Sequence, residues 1–414
     1  MLLEITMSEK DEMTVDERRK YLHKMWGRYR NATKQTKSKM LDDMELVTGM
    51  HRKSIIRILN GRLSRKKRVR ERGPTYGTRV MHVVRIISKA LDHPCAERLK
   101  PNLVFMANHM RNHGQLNMDE DLFRKLEAIS VSTLKRMLSN INKSKEKISR
   151  KRFPKRKRNT IKASFPMRRI PYDTAEPGHF EVDLVLHCDE NQSGEYIHTI
   201  QITDVATGWC EIQAVFGRSY RVMQDGFECM LGNLPIPVIE IHPDNGNEFF
   251  NQHLLRFWQE KVLNLDISRS RPYHKNDNRF VEENNGSLVR AYIGHGRLDN
   301  LHQLLILREI YKDLTCYHNF FQPVMKTIQK VYVDEIHYRR VFDQARPPLD
   351  RLVEMDVLSD AQIERLLSLR NQIDILKLRE SLENNINKLW QIKPRNDTIP
   401  VNIFDTLRKE EDKT

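Results

Sequence analysis

The segment IEIHPDNGNEFF, residues 239–250, decides how this chain is read. A short apolar run, Val238, Ile239 and Ile241, stops at a carboxylate, Asp244, and a small polar turn follows. Asp and Asn form turns well because their side chains bond the nearby backbone, so Asp244-Asn245-Gly246 reads first as a plain turn. The other reading is a strand that ends by presenting an acid to a cation. The surrounding sequence weighs one against the other.

Upstream, GHFEVDLVLHC (178–188), EYIHTIQITDV (195–205) and WCEIQAVFG (209–217) are strand-like runs separated by DENQSG and ATG. Such spacing predicts an antiparallel meander. A helical run, SYRVMQDGFECMLGNL, leads to the short strand before Asp244. An amphipathic helix over 251–263 then leads to NLDISRS, and a further helix is predicted over 277–293. Antiparallel strands followed by alternating helix and strand make a mixed sheet with helices on its faces.

Three acids stand out in this region. Asp183 sits mid-strand between Val182 and Leu184, where a carboxylate is costly unless paired or bound to a cation. Glu181 shares its face, and Asp204 is another acid near a strand end. Glu282 lies on the predicted helix after SRPYHKND. If the first and fourth strands are neighbours, Asp183 and Asp244 converge, and the helix carries Glu282 over them. Taken singly, each has a plain reading: a structural strand acid, a turn, a solvated helical acid. Together they repel one another and call for divalent cations, with hard oxygen donors suited to Mg²⁺ or Mn²⁺. Two such ions roughly 4 Å apart activate the attacking oxygen and stabilise the leaving oxygen of a phosphodiester.

The rest of the chain fits a polyanionic partner. Its 414 residues carry a formal charge of +16, a large basic excess. SKMLDDMELVTGMHRKSIIRILNG reads as helix, turn, helix, with Met40, Leu41, Met44 and Val47 on the first apolar face and Ile55, Ile56 and Leu59 on the second. Arg52, Lys53 and Arg57 lie away from that apolar side, where a helix in a major groove would carry its cations. The plain alternative is a helical hairpin with a solvated basic face, next to the basic run RLSRKKRVRER (62–72). DEDLFRKLEAISVSTLKRMLSN repeats the pattern: Leu122, Leu126 and Ile129, a turn at Ser130-Val131, then Ser132 as the cap of a helix bearing Thr133, Lys135 and Arg136. NKSKEKISRKRFPKRKRNTIKASFPMRR, with Lys155, Arg156, Lys157 and Arg158, is too basic to bury a core and reads as an extended linker. Cations there release counterions from phosphates, giving tight, salt-sensitive binding.

The motifs FEVDLVLHC, HPDNGNEF and SRPYHKNDNRFVEENN resemble the catalytic core of DDE transposases and retroviral-type integrases. The resemblance spans residues 175–325 and includes a Ser-x-Pro-Tyr turn, then Val281-Glu282 and an Asn, Asn285, three positions later. It implies a ribonuclease-H-like fold with Asp183, Asp244 and Glu282 as catalytic, metal-binding acids holding two Mg²⁺ or Mn²⁺ ions. Helix-turn-helix units ahead of the core, the basic linker and NFFQP at 319–323 are similar to bacterial insertion-sequence transposases. The match departs at Lys275-Asn276, where the family has Pro-Gln, at Arg279, where it has Gly, and at Glu283, where Arg often follows the acid. Asn245 and Glu248 are candidates to support the acids, and Tyr273, His274 and Lys275 to hold a DNA end; His242 points to the same face as Asp244.

The expected layout is multidomain: an all-α helix-turn-helix region over 1–73, a second such unit over 74–141, a basic linker over 142–174, an α/β ribonuclease-H-like mixed-sheet core over 175–325, and a mostly helical appendage over 326–414. Within the last, 330–358 reads as irregular and 359–392 as a helical packing or self-association surface; the tail RKEEDKT reads as disordered. The five cysteines are scattered without CxxC spacing, which argues against a disulfide framework or structural zinc. No apolar run nears the roughly 20 residues of a membrane span, and MLLEITMSEKDE is too short and acidic for a signal peptide. The expected setting is the bacterial cytoplasm, associated with the nucleoid. The expected partners are element terminal repeats, target DNA and at least one further copy of the chain. Two other functions fit the same residues: a non-catalytic, sequence-specific DNA-binding regulator, and a nuclease that cuts without joining.

Overall fold

The computed structural model describes residues 13–61, 75–142, 170–171, 176–188, 194–244, 249, 252–271, 277–332, 338–393 and 402–407. The chain divides into two compact units, Met1–Thr75 and Tyr76–Thr414.

The first unit contains α1 (Val15–Asn31), α2 (Lys34–Thr48) and α3 (Arg52–Asn60). Thr14 and Glu17 form a capping box at the start of α1, and Thr33 caps α2. Gly49 ends α2 at φ 62, a left-handed conformation that glycine adopts without a Cβ clash. Leu22, Leu41, Met44, Ile55 and Leu59 are the buried core, and the Trp26 indole donates to the Leu59 carbonyl at 3.1 Å. Val47 was expected on the buried face but is exposed; Thr48 is buried instead and bonds its hydroxyl to the Met44 carbonyl at 2.6 Å. The helical phase Leu41, Met44, Thr48 carries the face one position past Val47.

The second unit opens with α4 (Thr78–Ala90), α5 (Ala96–Asn112), α6 (Glu120–Ala128) and α7 (Val131–Asn142). Leu122, Leu126 and Ile129 are buried as expected. The α7 cap, however, is Ser130 rather than Ser132: its hydroxyl accepts from Thr133 N at 3.2 Å, the three-residue reach of a capping side chain. These helices share one apolar core with the sheet and the C-terminal helices. Tyr317, for example, donates to the Ala90 carbonyl at 2.8 Å and Asn102 to that of Ala345 at 3.2 Å. The described residues from Tyr76 onward fall within this one unit.

Its centre is a mixed sheet of β1 (His179–Leu186), β2 (Ile197–Asp204), β3 (Cys210–Phe216), then β4 (Glu240–Pro243) and β5 (Asp266–Ile267), in spatial order β3-β2-β1-β4-β5. The first three are antiparallel neighbours, while β4 pairs parallel to β1 and β5 parallel to β4. Parallel neighbours need a crossover, and α8 (Tyr220–Asn233) and α9 (Gln252–Lys261) supply them. Phe180, Ile202 and Ile241 pack with Phe227, Met230 and Trp258 of these helices. Helix α10 (Arg279–Asn284), a π-helical turn (Asn285–Val289) and α11 (Arg290–Ile293) follow; then α12 (Leu301–Phe321) packs on β3 and stops before Pro323. The mixed sheet with covering helices is the α/β architecture expected for this region.

The region expected to be irregular holds a hairpin, β6 (Thr327–Tyr332) with β7 (Tyr338–Phe342), and α13 (Pro348–Glu354). Ile328, Val331, Tyr332 and Phe342 are all exposed, so no buried alternation marked these strands. The final helical run is two helices, α14 (Asp360–Gln372) and α15 (Ile375–Gln391), broken at Ile373-Asp374, where Asp374 caps the second. Helix α15 buries Ile375, Leu382 and Leu389 against α12. Among the described residues, no helix is long and apolar enough to cross a membrane.

Candidate active site

Two neighbouring strands carry alternating polar residues: His179, Glu181 and Asp183 on β1, and Glu240 and His242 on β4, followed directly by Asp244. Alternation places each set on one face of the sheet. The parallel register sets His179 opposite Glu240, Glu181 opposite His242, and Val182 opposite Pro243. Asp183 and Asp244 are the next residues of the two strands, so the neighbour relation on which their convergence depended is present.

Asp183 is half-buried. Its carboxyl is pushed up to about 7, first by burial and then by the negative charge of Asp244, with a further upward push from Glu282. The Leu184 amide (2.8 Å) and the Asn285 side-chain amide oppose this by donating to it. The charges of Asp244 and Glu282 therefore both reach Asp183. Glu282 is exposed on α10, and Asn285, one turn later, ties that helix to β1. The π-helical turn begins at Asn285. It lets consecutive residues reach inward, Asn284 to the Thr203 hydroxyl at 3.1 Å and Asn285 to Asp183. Such widened turns occur frequently at functional sites. Glu283 is exposed instead and lies 3.8 Å from Arg98.

The start of α10 is held by residues that the sequence reading did not single out for this role. Arg271 binds the buried Asp277 through its side chain and its amide, each contact at 2.9 Å. Asn278 donates to the Val182 carbonyl at 3.3 Å and accepts from Ser270 at 2.9 Å. A buried polar chain continues from there: His242 contacts Ser270 at 3.3 Å and Ser268 at 2.6 Å, Ser268 donates to Glu240, and Glu240 meets His179 at 2.8 Å. The Glu240 bond raises the His179 imidazole above its ordinary value. Glu181 is completely buried, and burial pushes its carboxyl up to about 8. The matched polar alternation on two strands was the available signal for this network.

Among the proposed DNA contacts, Lys53 and Arg57 are exposed on α3. Arg52 is half-buried and pinned within its own unit, bonding Asp42 and, at 2.8 Å, the Ser38 hydroxyl. Lys135 and Arg136 are exposed on α7; Lys135 lies 3.8 Å from Glu97. Lys155, Arg156, Lys157, Arg158 and Lys275 lie outside the described residues, as do Asn245, Glu248, Tyr273, His274 and the basic run at 62–72.

Among the described residues, no three His, Cys, Asp or Glu side chains already stand close enough together to ligate one ion. The donor chemistry nevertheless fits a hard divalent cation. Asp183, Asp244 and Glu282 are all oxygen donors, the charges of the last two act on the first, and the Asn285 side-chain oxygen is buried with no hydrogen-bond partner.

No described protein-family model matches the chain. A search of solved structures finds the HTLV-2 integrase catalytic core domain in complex with magnesium (dimeric form), at 15% identity and TM-score 0.27, covering 36% of this chain and 90% of that one; the similarity is too slight to carry weight. Among curated proteins, the uncharacterized protein y4rM of Sinorhizobium fredii (strain NBRC 101917 / NGR234) is 31% identical over 323 residues, 78% of this chain and 90% of that protein. With that identity over most of both chains, this protein belongs to the same family as y4rM.

Proposed function

We propose that this chain is a DNA transposase of the integrase-core class, binding element ends and joining them to target DNA. The observation that supports this reading is the parallel pairing of β1 with β4, which makes Asp183 and Asp244 the next residues of two neighbouring strands, with the charge of Glu282 acting on Asp183. On this reading Asp183, Asp244 and Glu282 hold the metal ions, and Asn285 orients the Asp183 carboxylate. A bound pair of divalent cations supplies activation of the attacking oxygen and stabilisation of the leaving oxygen at phosphorus. The chain's own work is positioning: the sheet fixes two acids, the tethered helix delivers the third, and the basic helices hold the phosphodiester in line.

The reaction has two parts. Water attacks the phosphodiester at an element end and the 3′-oxygen departs, leaving a 3′-hydroxyl. That hydroxyl then attacks a target phosphodiester in line, losing its proton as the new P–O bond forms, while the bond to the target strand's own 3′-oxygen breaks and that oxygen leaves as a protonated hydroxyl, with no covalent protein intermediate. Because two ends are joined, at least two copies of the chain act together.

A strand-transfer assay with the DNA flanking the gene as donor tests this. Mg²⁺-dependent joined products, absent with Asp244→Asn while end binding persists, are expected. Joining by Asp244→Asn at the wild-type rate contradicts the assignment of the acids. Cleavage without joining identifies a nuclease, and end binding without either identifies a regulator.

A further inference from the structure

We infer that Glu181 is a positioning residue that sets the register of the helix bearing Glu282; this rests on the reading of Glu282 as an active-site acid. The first amides of a helix lack intrahelical partners and are usually satisfied by the side chain at its N-cap. The N-cap of α10 is Asn278, a residue type suited to that task, yet it makes no capping bond. Its amide is used instead on the Val182 carbonyl and the Ser270 hydroxyl. The open amides are taken from across the fold. Glu181 Oε2 accepts from Phe280 N at 2.7 Å and from Val281 N at 3.0 Å.

This contact ties two active-site elements together, β1 and α10. Glu181 is two residues before Asp183 on the same face of β1, so the strand that presents one acid also docks the helix of another. Val281, whose amide is held, is fully buried and immediately precedes Glu282. Each residue of slippage turns an α-helix by about 100°, enough to swing Glu282 away from Asp183. Glu181 touches neither substrate nor metal in this scheme; it acts through the helix.

The test uses the full chain with Mn²⁺ as the probe. It compares Glu181→Gln, which keeps an acceptor oxygen at the same reach, with Glu181→Leu, which has none. Amide exchange over residues 280–284 reads the tether, and Mn²⁺ affinity by electron paramagnetic resonance reads the site. In Glu181→Leu, exchange at 280–284 should rise at least tenfold with β2 and β3 unchanged, Mn²⁺ affinity should fall at least tenfold, and kcat should fall about 100-fold with KM for end DNA unchanged. Glu181→Gln should stay within threefold of wild type on each measure. Unchanged protection and affinity in Glu181→Leu overturn the inference, as does a loss in Glu181→Gln equal to that in Glu181→Leu. Should Glu181→Leu fail to fold, Glu181→Asp, one methylene too short to reach both amides, should show the same exchange increase, and its absence is equally fatal. A wild-type chain that binds no Mn²⁺ removes the active-site reading, while the exchange measurement still decides whether Glu181 holds the helix.

Discussion

The side-chain amide of Asn285 donates to the carboxylate of Asp183, joining the helix of one acid to the strand of another. The bond sits where the helix widens into its π turn, so local backbone geometry and the placement of Glu282 are linked.

Asn285→Leu removes that donor from a half-buried carboxylate that the Leu184 amide also holds. Losing a partner of a buried polar group costs about 1–3 kcal/mol. A fall in thermal midpoint by calorimetry and at least a tenfold loss of Mg²⁺-dependent joining are expected; an unchanged midpoint and rate would show that the contact is dispensable.

Glu282 and Glu283 are adjacent, but the charge of Glu282 acts on Asp183 whereas Glu283 lies 3.8 Å from Arg98. Glu282→Gln should abolish joining to below about one part in 100, as expected for a misplaced or missing catalytic group. Glu283→Gln should remain within threefold of wild type. Reversal of these two outcomes in the strand-transfer assay would move the third acid to position 283.

The DNA contacts separate in the same way. Arg57 is exposed on α3, so Arg57→Ala should weaken end binding uniformly across sequences and reduce the salt slope by about 1, read by fluorescence anisotropy. Arg52 is engaged with Asp42 and Ser38, and the pair is partly exposed, so Arg52→Ala should destabilise the first unit by about 1 kcal/mol or less. A salt slope that changes for Arg52→Ala and not for Arg57→Ala would reverse their roles.

Glu211 gives a pH signature away from the site. Burial pushes its carboxyl up to about 8, despite the Trp209 indole donating to it at 2.9 Å. Between about pH 4.5 and 8 the unfolded chain has released this proton and the folded chain keeps it, so its contribution to stability declines as pH rises. Glu211→Gln removes the decline: the gap in thermal midpoint between pH 5 and pH 8 should shrink. Parallel profiles for the two proteins would show that Glu211 does not titrate in this window.

Much of this arrangement was legible in the residues because burial writes a period into sequence. The meander over 178–217 and the helices after it were marked by apolar runs and turn residues, and the strands formed where those runs predicted. Asp183 and Asp244 were visible as acids interrupting apolar strands. Elements without a buried face were not: the β6–β7 hairpin is exposed along Ile328, Val331 and Tyr332 and left no alternation to read. Capping choices also turned on one or two positions, as at Ser130. The tether of Glu181 to Phe280 and Val281 was beyond reach for another reason. It joins residues far apart in sequence, and only the order β3-β2-β1-β4-β5 with its crossovers brings them together.

The central claim is that Asp183, Asp244 and Glu282 share divalent cations. Anomalous diffraction from crystals of the full chain soaked in Mn²⁺ tests it most directly. Manganese peaks bonded to oxygens of Asp183 and Asp244, with Glu282 completing the site, are predicted. Manganese bound elsewhere, with these three carboxylates left apart and without metal density, would contradict it.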